Sequence, residues 1–240
     1  MKVLITGAAG FIGSNILKFL IDKKFEIYAI YNRTKPQKYK KVKYIKSDLK
    51  NLKKIPSRLD CIIHSAVKNP ENTNKNILLK DNVITSKNIF NLAIKFKAKK
   101  IIYFSSIAVY ENIDKPLIEE KDLKLEPLTT YAKSKYRGEI LLKNITKNTD
   151  ISTILIRLPT VIGPGSKFNS ISIIKKKILS GKKISIFSPD SKYNRIIHIR
   201  ALNNFIYKTI VSKNKINEVI HLGSSHPIKF KNLILLMFKI

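Results

Sequence analysis

Eight residues near the N-terminus, Thr6-Gly7-Ala8-Ala9-Gly10-Phe11-Ile12-Gly13, constrain this chain more than any others. They follow a strand-like apolar run, Lys2–Thr6, and open an amphipathic one, Phe11–Lys23. The glycines therefore stand at a strand-to-helix turn. Gly7 suits the tight turn, Gly10 a close approach of backbone to a pyrophosphate, and Gly13 a close packing of helix on strand. The helix N-terminus adds free N–H groups and the positive end of a dipole. A glycine triplet alone is common, but one seated between a strand and a helix points to a dinucleotide-binding βαβ unit.

The rest of the chain keeps the same rhythm. Strands are expected at Lys2–Thr6, Glu26–Tyr31, Val42–Ile45, Asp60–His64, Lys100–Ser105 and Ile151–Arg157, and helices at Phe11–Lys23, Ile77–Phe96 and Tyr131–Lys147. The strands are apolar at nearly every position, as parallel strands buried on both faces are. Strand and helix in alternation give an α/β fold, a Rossmann-type doubly wound parallel sheet. After Pro159 the rhythm weakens: helices at Ser170–Leu179 and Ala201–Val211, strands at Lys183–Phe187 and Glu218–Leu222, and a helix beginning within Leu233–Ile240. Residues 1–165 are read as the dinucleotide-binding domain. Residues 166–240 are read as a small substrate lobe packed back on it.

Composition excludes some functions. The 47 Lys plus Arg against 16 Asp plus Glu give a formal charge of +31. Yet 41 of the basic residues are Lys and 6 are Arg; Ile (41) is as abundant as Lys, and there are 20 Asn. Lys, Ile and Asn share A/T-rich codons, so base composition explains all three, and a selected nucleic-acid surface would favour Arg. No specific nucleic-acid partner is expected, though the field suits an anionic substrate. The absence of a long apolar run, of a signal-peptide pattern and of any cysteine besides Cys61 points to a cytoplasmic protein without a membrane span, disulfide or metal site.

Two further groups carry chemistry. At the end of the second strand, where a carboxylate would bind a ribose 2′-OH, the chain has Tyr31-Asn32-Arg33. Arg33, with Lys35, suits a 2′-phosphate, so the reading leans toward NADP over NAD. Asp48 after the third strand is placed to accept from an adenine amino group. In the helix starting at Tyr131, Tyr131 and Lys135 are four residues apart and share a face. A lysine ammonium beside a phenol lowers its pKa, which lets the tyrosine exchange a proton with a carbinol while hydride moves to or from nicotinamide. Ser106, after a buried strand, could hold the reacting oxygen.

These residues resemble the extended short-chain dehydrogenase/reductases of the NAD-dependent epimerase/dehydratase family, which act on nucleotide sugars. The likeness is carried by TGAAGFIG at 6–13, SDL at 47–49, IIHSA at 62–66, FSSIAVY at 104–110, YAKSK at 131–135 and IRLPTVIGPG at 156–165. It implies Ser106, Tyr131 and Lys135 as the catalytic triad. It implies cofactor contacts at Gly7, Gly10, Phe11, Ile12, Gly13, Asp48, Leu49, Ala66, Asn82 and Pro159, with Arg33 choosing the cofactor. Substrate diphosphate contacts fall near Asn169, Arg195 and His198. It also implies a homodimer through a four-helix bundle built from 77–96 and 131–147.

The departures narrow the activity. Where 4,6-dehydratases of the family carry Asp-Glu after the active hydroxyl, this chain has Ile107-Ala108, and reductases that also epimerise ring carbons carry Cys at the position of Ile107. What the resemblance leaves is a nucleotide-sugar epimerase or ketoreductase, as in surface polysaccharide synthesis. The second lobe is short for the family. The alternative is a non-catalytic nucleotide- or RNA-binding protein on the same fold, which would gain nothing from keeping the triad. His64 and Cys61, both in an apolar strand, read as core residues.

Overall fold

The computed structural model describes residues 1–50, 52, 55, 58–68, 74–110, 129–167 and 169–238. Its centre is a sheet of seven parallel strands: β1 (Lys2–Thr6), β2 (Glu26–Tyr31), β3 (Val42–Lys46), β4 (Cys61–His64), β5 (Lys100–Ser106), β6 (Ser152–Leu158) and β10 (Asn217–His221). Their order is β3-β2-β1-β4-β5-β6-β10. The chain reverses direction across the sheet at β1, which pairs with β2 on one side and β4 on the other. Ligands of such sheets bind in the crevice at that switch, beyond the carboxyl ends of the strands.

The helices α1 (Phe11–Leu20) and α5 (Ile199–Val211) cover one face, and α2 (Lys75–Lys95) and α3 (Thr130–Thr146) the other. The strand residues divide as a period of two requires. Val3 and Ile5 join Ile16, Leu17, Leu20, Leu202 and Ile206 on the first face. Leu4 joins Ile62, Ile89, Phe90, Tyr103 and Leu142 on the second. Burial of each such side chain stabilises the fold by about 1.5–3 kcal/mol. Lys100 is buried at the start of β5, where its Nζ donates to the Thr209 and Ser212 carbonyls at 2.6 and 2.9 Å. It thereby closes the carbonyl end of α5, where a cation is favoured.

The remaining elements are short: β7 (Thr160–Ile162) pairs with β9 (Ile196–His198), and β8 (Lys192–Tyr193) with β11 (Ile228–Lys229). Helix α4 (Ser170–Leu179) lies beside β7, and α6 (Phe230–Phe238) follows β11. The strand expected at 183–187 does not form: the stretch is without regular structure and Phe187 is 87% exposed, so its alternating apolar residues find no sheet to join. The strand expected at 218–222 forms one residue earlier and completes the central sheet against β6. On the two helices expected to form a four-helix bundle, Phe90 and Leu142 belong to the core, while Ile77 and Ile140 are exposed. Residues 239–240 of the last expected helix lie outside the described residues.

Candidate active site

The glycine loop turns at the carboxyl end of β1. Gly7 has φ +66°, and a Cβ built there would lie 2.8 Å from the Ala66 backbone. A Cβ on Gly13 would lie 2.2 Å from the Gly7 carbonyl oxygen. The loop, the start of α1 and the segment after β4 thus meet backbone to backbone. The Ala66 N–H donates to Thr6 Oγ1 at 3.2 Å, and Ser65 Oγ donates to the Thr6 carbonyl at 2.6 Å. Gly10 caps α1 without a side chain, which leaves the first N–H groups of the helix facing the crevice mouth. This cradle fits a pyrophosphate: it is anion-binding, close-walled and built from backbone. Phe11 and Ile12 begin α1, and Phe11 packs within 3.8 Å of the Cβ position of Gly165. The buried Pro159 sits between β6 and β7.

Arg33 and Asp48 are exposed just beyond β2 and β3. Asp48 Oδ1 accepts the Lys50 N–H at 3.0 Å, and Leu49 is buried with φ 65°. Helix α2 holds both neighbouring loops. Asn88 Nδ2 donates to the Leu49 and Lys50 carbonyls at 2.9 and 3.0 Å. Asn82 Oδ1 accepts the Lys68 N–H at 2.8 Å, and its Nδ2 donates to Ser134 Oγ at 3.2 Å on α3. Asp81, 5% exposed, pairs with Lys50 at 2.7 Å and also with Lys68. Sequence reasoning named Asn82 but not Asp81, whose partners are 31 and 13 residues away.

Asp81→Asn is therefore expected to loosen both loops together. The change costs about 1 kcal/mol after screening at the two half-exposed lysines. Amide exchange at Leu49–Lys50 and Ala66–Lys68 should quicken about fivefold. Hydrogen bonds from Lys50 and then Lys68 hold the Asp81 carboxyl below its ordinary value. The clamp is thus complete above the ordinary carboxylate range and is lost as pH falls through the lowered value. Exchange that quickens in only one loop would refute the shared clamp.

At the end of β5 the three expected reactive side chains come together. The Ser106 hydroxyl lies close enough to the Tyr131 phenol to act on its pKa, and Ser106 Oγ accepts the Ala108 N–H at 3.1 Å in the short helical turn Ile107–Val109. Thr129 caps α3 by accepting the Ala132 N–H, which places Tyr131 in the first turn. Lys135 follows one turn later and is 4% exposed. Its Nζ donates to the Phe104 carbonyl at 2.7 Å and lies 6.0 Å from the centre of the Tyr131 ring. The structure differs from expectation in the balance on the phenol. Burial pushes Tyr131 up to about 12, and the Ser106 hydroxyl opposes it. Lys135, expected to lower it, lies over the ring. Burial in turn pulls Lys135 down to about 8, while Glu139 acts to raise it.

His64 and Cys61 are core groups. His64 bonds Thr6 Oγ1 at 2.8 Å and Ser86 Oγ at 3.1 Å and stacks on Tyr103, and burial lowers its pKa to about 3. The three residues expected at the substrate lie around β7 and β9. Asn169 caps α4, its Oδ1 accepting the Ser172 N–H at 2.8 Å and its Nδ2 donating to the Val161 carbonyl at 2.9 Å. His198 caps α5 by accepting the Arg200 N–H, and the Arg195 guanidinium lies 5.6 Å from the centre of the Tyr193 ring. Asn169 and His198 thus serve as helix caps. Among the described residues, no helix is long and apolar enough to cross a membrane.

Comparison with known proteins places this geometry. A model of the NAD dependent epimerase/dehydratase family matches residues 3–223. The chain is 28% identical to an ADP-L-glycero-D-manno-heptose-6-epimerase of Brachyspira hyodysenteriae over 86% of its length and 72% of that protein. It is 25% identical to a dTDP-4-dehydro-6-deoxy-D-allose reductase of a Streptomyces species, over 83% and 69%. The fold matches a UDP-glucuronic acid 4-epimerase from Bacillus cereus, solved in complex with NAD, with a TM-score of 0.85 and 23% identity across all of this chain and 83% of that one.

Proposed function

The chain belongs to the NAD-dependent epimerase/dehydratase family, and from that premise we propose that it moves hydride at a sugar carbon of a nucleotide-activated sugar, as an epimerase or ketoreductase. The observation that carries the proposal is the meeting of Ser106, at the end of β5, with Tyr131 and Lys135, one turn apart on α3 with the ammonium over the phenol ring, beside the glycine cradle at the same end of the sheet. Gly7, Gly10, Phe11, Ile12 and Gly13 hold the pyrophosphate of NAD(P), Asp48, Leu49 and Ala66 border its adenosine half, and Pro159 borders the nicotinamide. Asn82 supports that border through Lys68. When bound, the dinucleotide accepts or returns the hydride.

The chain's own residues handle the proton. Tyr131 exchanges it with the sugar oxygen, and Ser106 fixes that oxygen by a hydrogen bond. The Lys135 ammonium stabilises negative charge on the phenol. Ile107 and Ala108 bring no proton-transfer group, so water loss is not part of the reaction. Arg195, half-buried beside Tyr193, is the cation best placed for the substrate diphosphate. Exposed Ile77 and Ile140 offer α2 and α3 to a second copy, giving a homodimer.

The test is a titration with NADPH and with NADH, followed by nicotinamide fluorescence at moderate salt so that binding driven by the lysines is suppressed. Tighter binding of NADPH is expected, from Arg33 and Lys35 at the 2′-phosphate, and would favour a ketoreductase. Tighter NADH, or NAD that stays bound through purification, would favour an epimerase that recycles its cofactor. Binding of neither would overturn the proposal.

A further inference from the structure

The most deeply buried ion pair among the described residues is not in the triad. It lies two turns below it. Arg157 on β6 and Glu139 on α3 are 1% and 2% exposed. They are joined side-on, Nη2 to Oε2 at 2.6 Å and Nε to Oε1 at 3.1 Å. Ser105 Oγ donates to Glu139 Oε1 at 2.5 Å. On its far side Arg157 Nη1 donates to the Tyr110 hydroxyl at 2.5 Å, and that hydroxyl lies 2.5 Å from His221 Nε2. The strand register explains the alignment: Ser105, Arg157 and His221 are direct partners across β5, β6 and β10.

Tyr131, Lys135 and Glu139 are spaced four and four along α3, so they share one face. The phenol and the ammonium are thus carried on a helix whose rotation is fixed, eight residues or ~12 Å further on, by a bidentate carboxylate clamp. The clamp also grips Ser105, the neighbour of Ser106. From this we infer that Glu139 is a positioning residue for the triad: through Arg157 and Ser105 it sets the angle of the α3 face that carries Tyr131 and Lys135. Its charge also acts to keep the Lys135 ammonium. The inference rests on the triad reading above. A purely structural ion pair would stabilise the fold and leave Lys135 alone. Hydrophobic pairs replace many such bridges without loss of stability, so stability by itself does not require this one.

Among the described residues, the groups facing Lys135 are Tyr131 and Glu139 on α3, Tyr103 and the Phe104 carbonyl on β5, and the neutral His64 on β4. Glu139 is the carboxylate among them. Two variants test the inference, Glu139→Gln and the double variant Glu139→Met/Arg157→Met, which removes both charges and keeps apolar bulk. The first measurement uses the protein without substrate: the Lys135 Cε resonance, identified by its loss in Lys135→Met, is followed by NMR against pH. In Glu139→Gln its midpoint should move about one unit toward acid. The second measurement is single-turnover hydride transfer between NAD(P)(H) and a nucleotide sugar, with thermal melting alongside. The double variant should melt near the parent and transfer hydride at least tenfold more slowly.

An unmoved Lys135 midpoint together with parental transfer in the folded double variant would overturn the inference. Failure of both variants to fold would also overturn it, because the pair would then be a requirement of the whole fold. Tyr131→Phe, run in parallel, separates the two levels. Parental turnover in that variant defeats the triad reading itself, whereas its loss beside normal Glu139 variants defeats only the positioning role.

Discussion

Replacing Tyr131 by phenylalanine should lower turnover about 10³-fold, the middle of the range for loss of a general acid or base. Dinucleotide affinity should stay within about threefold. The two effects separate because the phenol stands at the end of β5 beside Ser106, while the cradle for the pyrophosphate is built from the backbone of another segment. Among the described residues, neither neighbour can take over the proton. Lys135 Nζ is committed to the Phe104 carbonyl, and a serine hydroxyl is too weak an acid. At neutral pH the buried phenol holds its proton, since burial raises it to about 12. It is therefore poised as an acid for reduction of a ketone, and as a base it depends on the charge of Lys135. That charge is lost as pH rises through about 8, so turnover of the parent should fall on the alkaline side of that value. Single-turnover kinetics beside dinucleotide titration checks both statements. Lost affinity with preserved turnover would remove Tyr131 from its role.

The central sheet was legible because burial on both faces leaves its mark on every strand position. Val3, Leu4 and Ile5 are all fully buried, though they face opposite helix layers. The triad was legible because its spacing is local: four residues along one helix, and a serine at a strand end. The Glu139–Arg157 clamp was not, although Glu139 lies four residues past Lys135 and Arg157 stands inside the quoted IRLPTVIGPG segment. Its partners are brought together by the register of β5, β6 and β10, and register is a tertiary property that a single sequence does not display. The stretch at 183–187 failed in the opposite way. Its residues suit a strand, but β propensity acts only where a neighbouring strand supplies the hydrogen bonds.

Gly13→Ala should have the second large effect, on binding rather than on chemistry. The added Cβ would meet the Gly7 carbonyl oxygen at 2.2 Å and the Ser65 hydroxyl at 2.8 Å. A side chain can swing aside, but the carbonyl cannot, because Gly7 is held at φ +66° with its own Cβ position 2.8 Å from Ala66. Helix α1 cannot retreat cheaply either, since Ile16, Leu17 and Leu20 anchor it in the core. Overpacking of this kind costs about 1–3 kcal/mol, and the turn that carries Gly7 is the part free to give way. Affinity for NAD(H) should drop about 100-fold, equivalent to about 2.7 kcal/mol, with a melting temperature a few degrees lower. Gly10→Ala provides the contrast. Its Cβ would come no nearer than 3.3 Å to the Gly7 carbonyl oxygen, so the free protein should melt as the parent does. Any loss of affinity there reports the approach of the ligand itself. Parental NAD(H) affinity in the Gly13→Ala protein would mean that the dinucleotide does not lie on this turn.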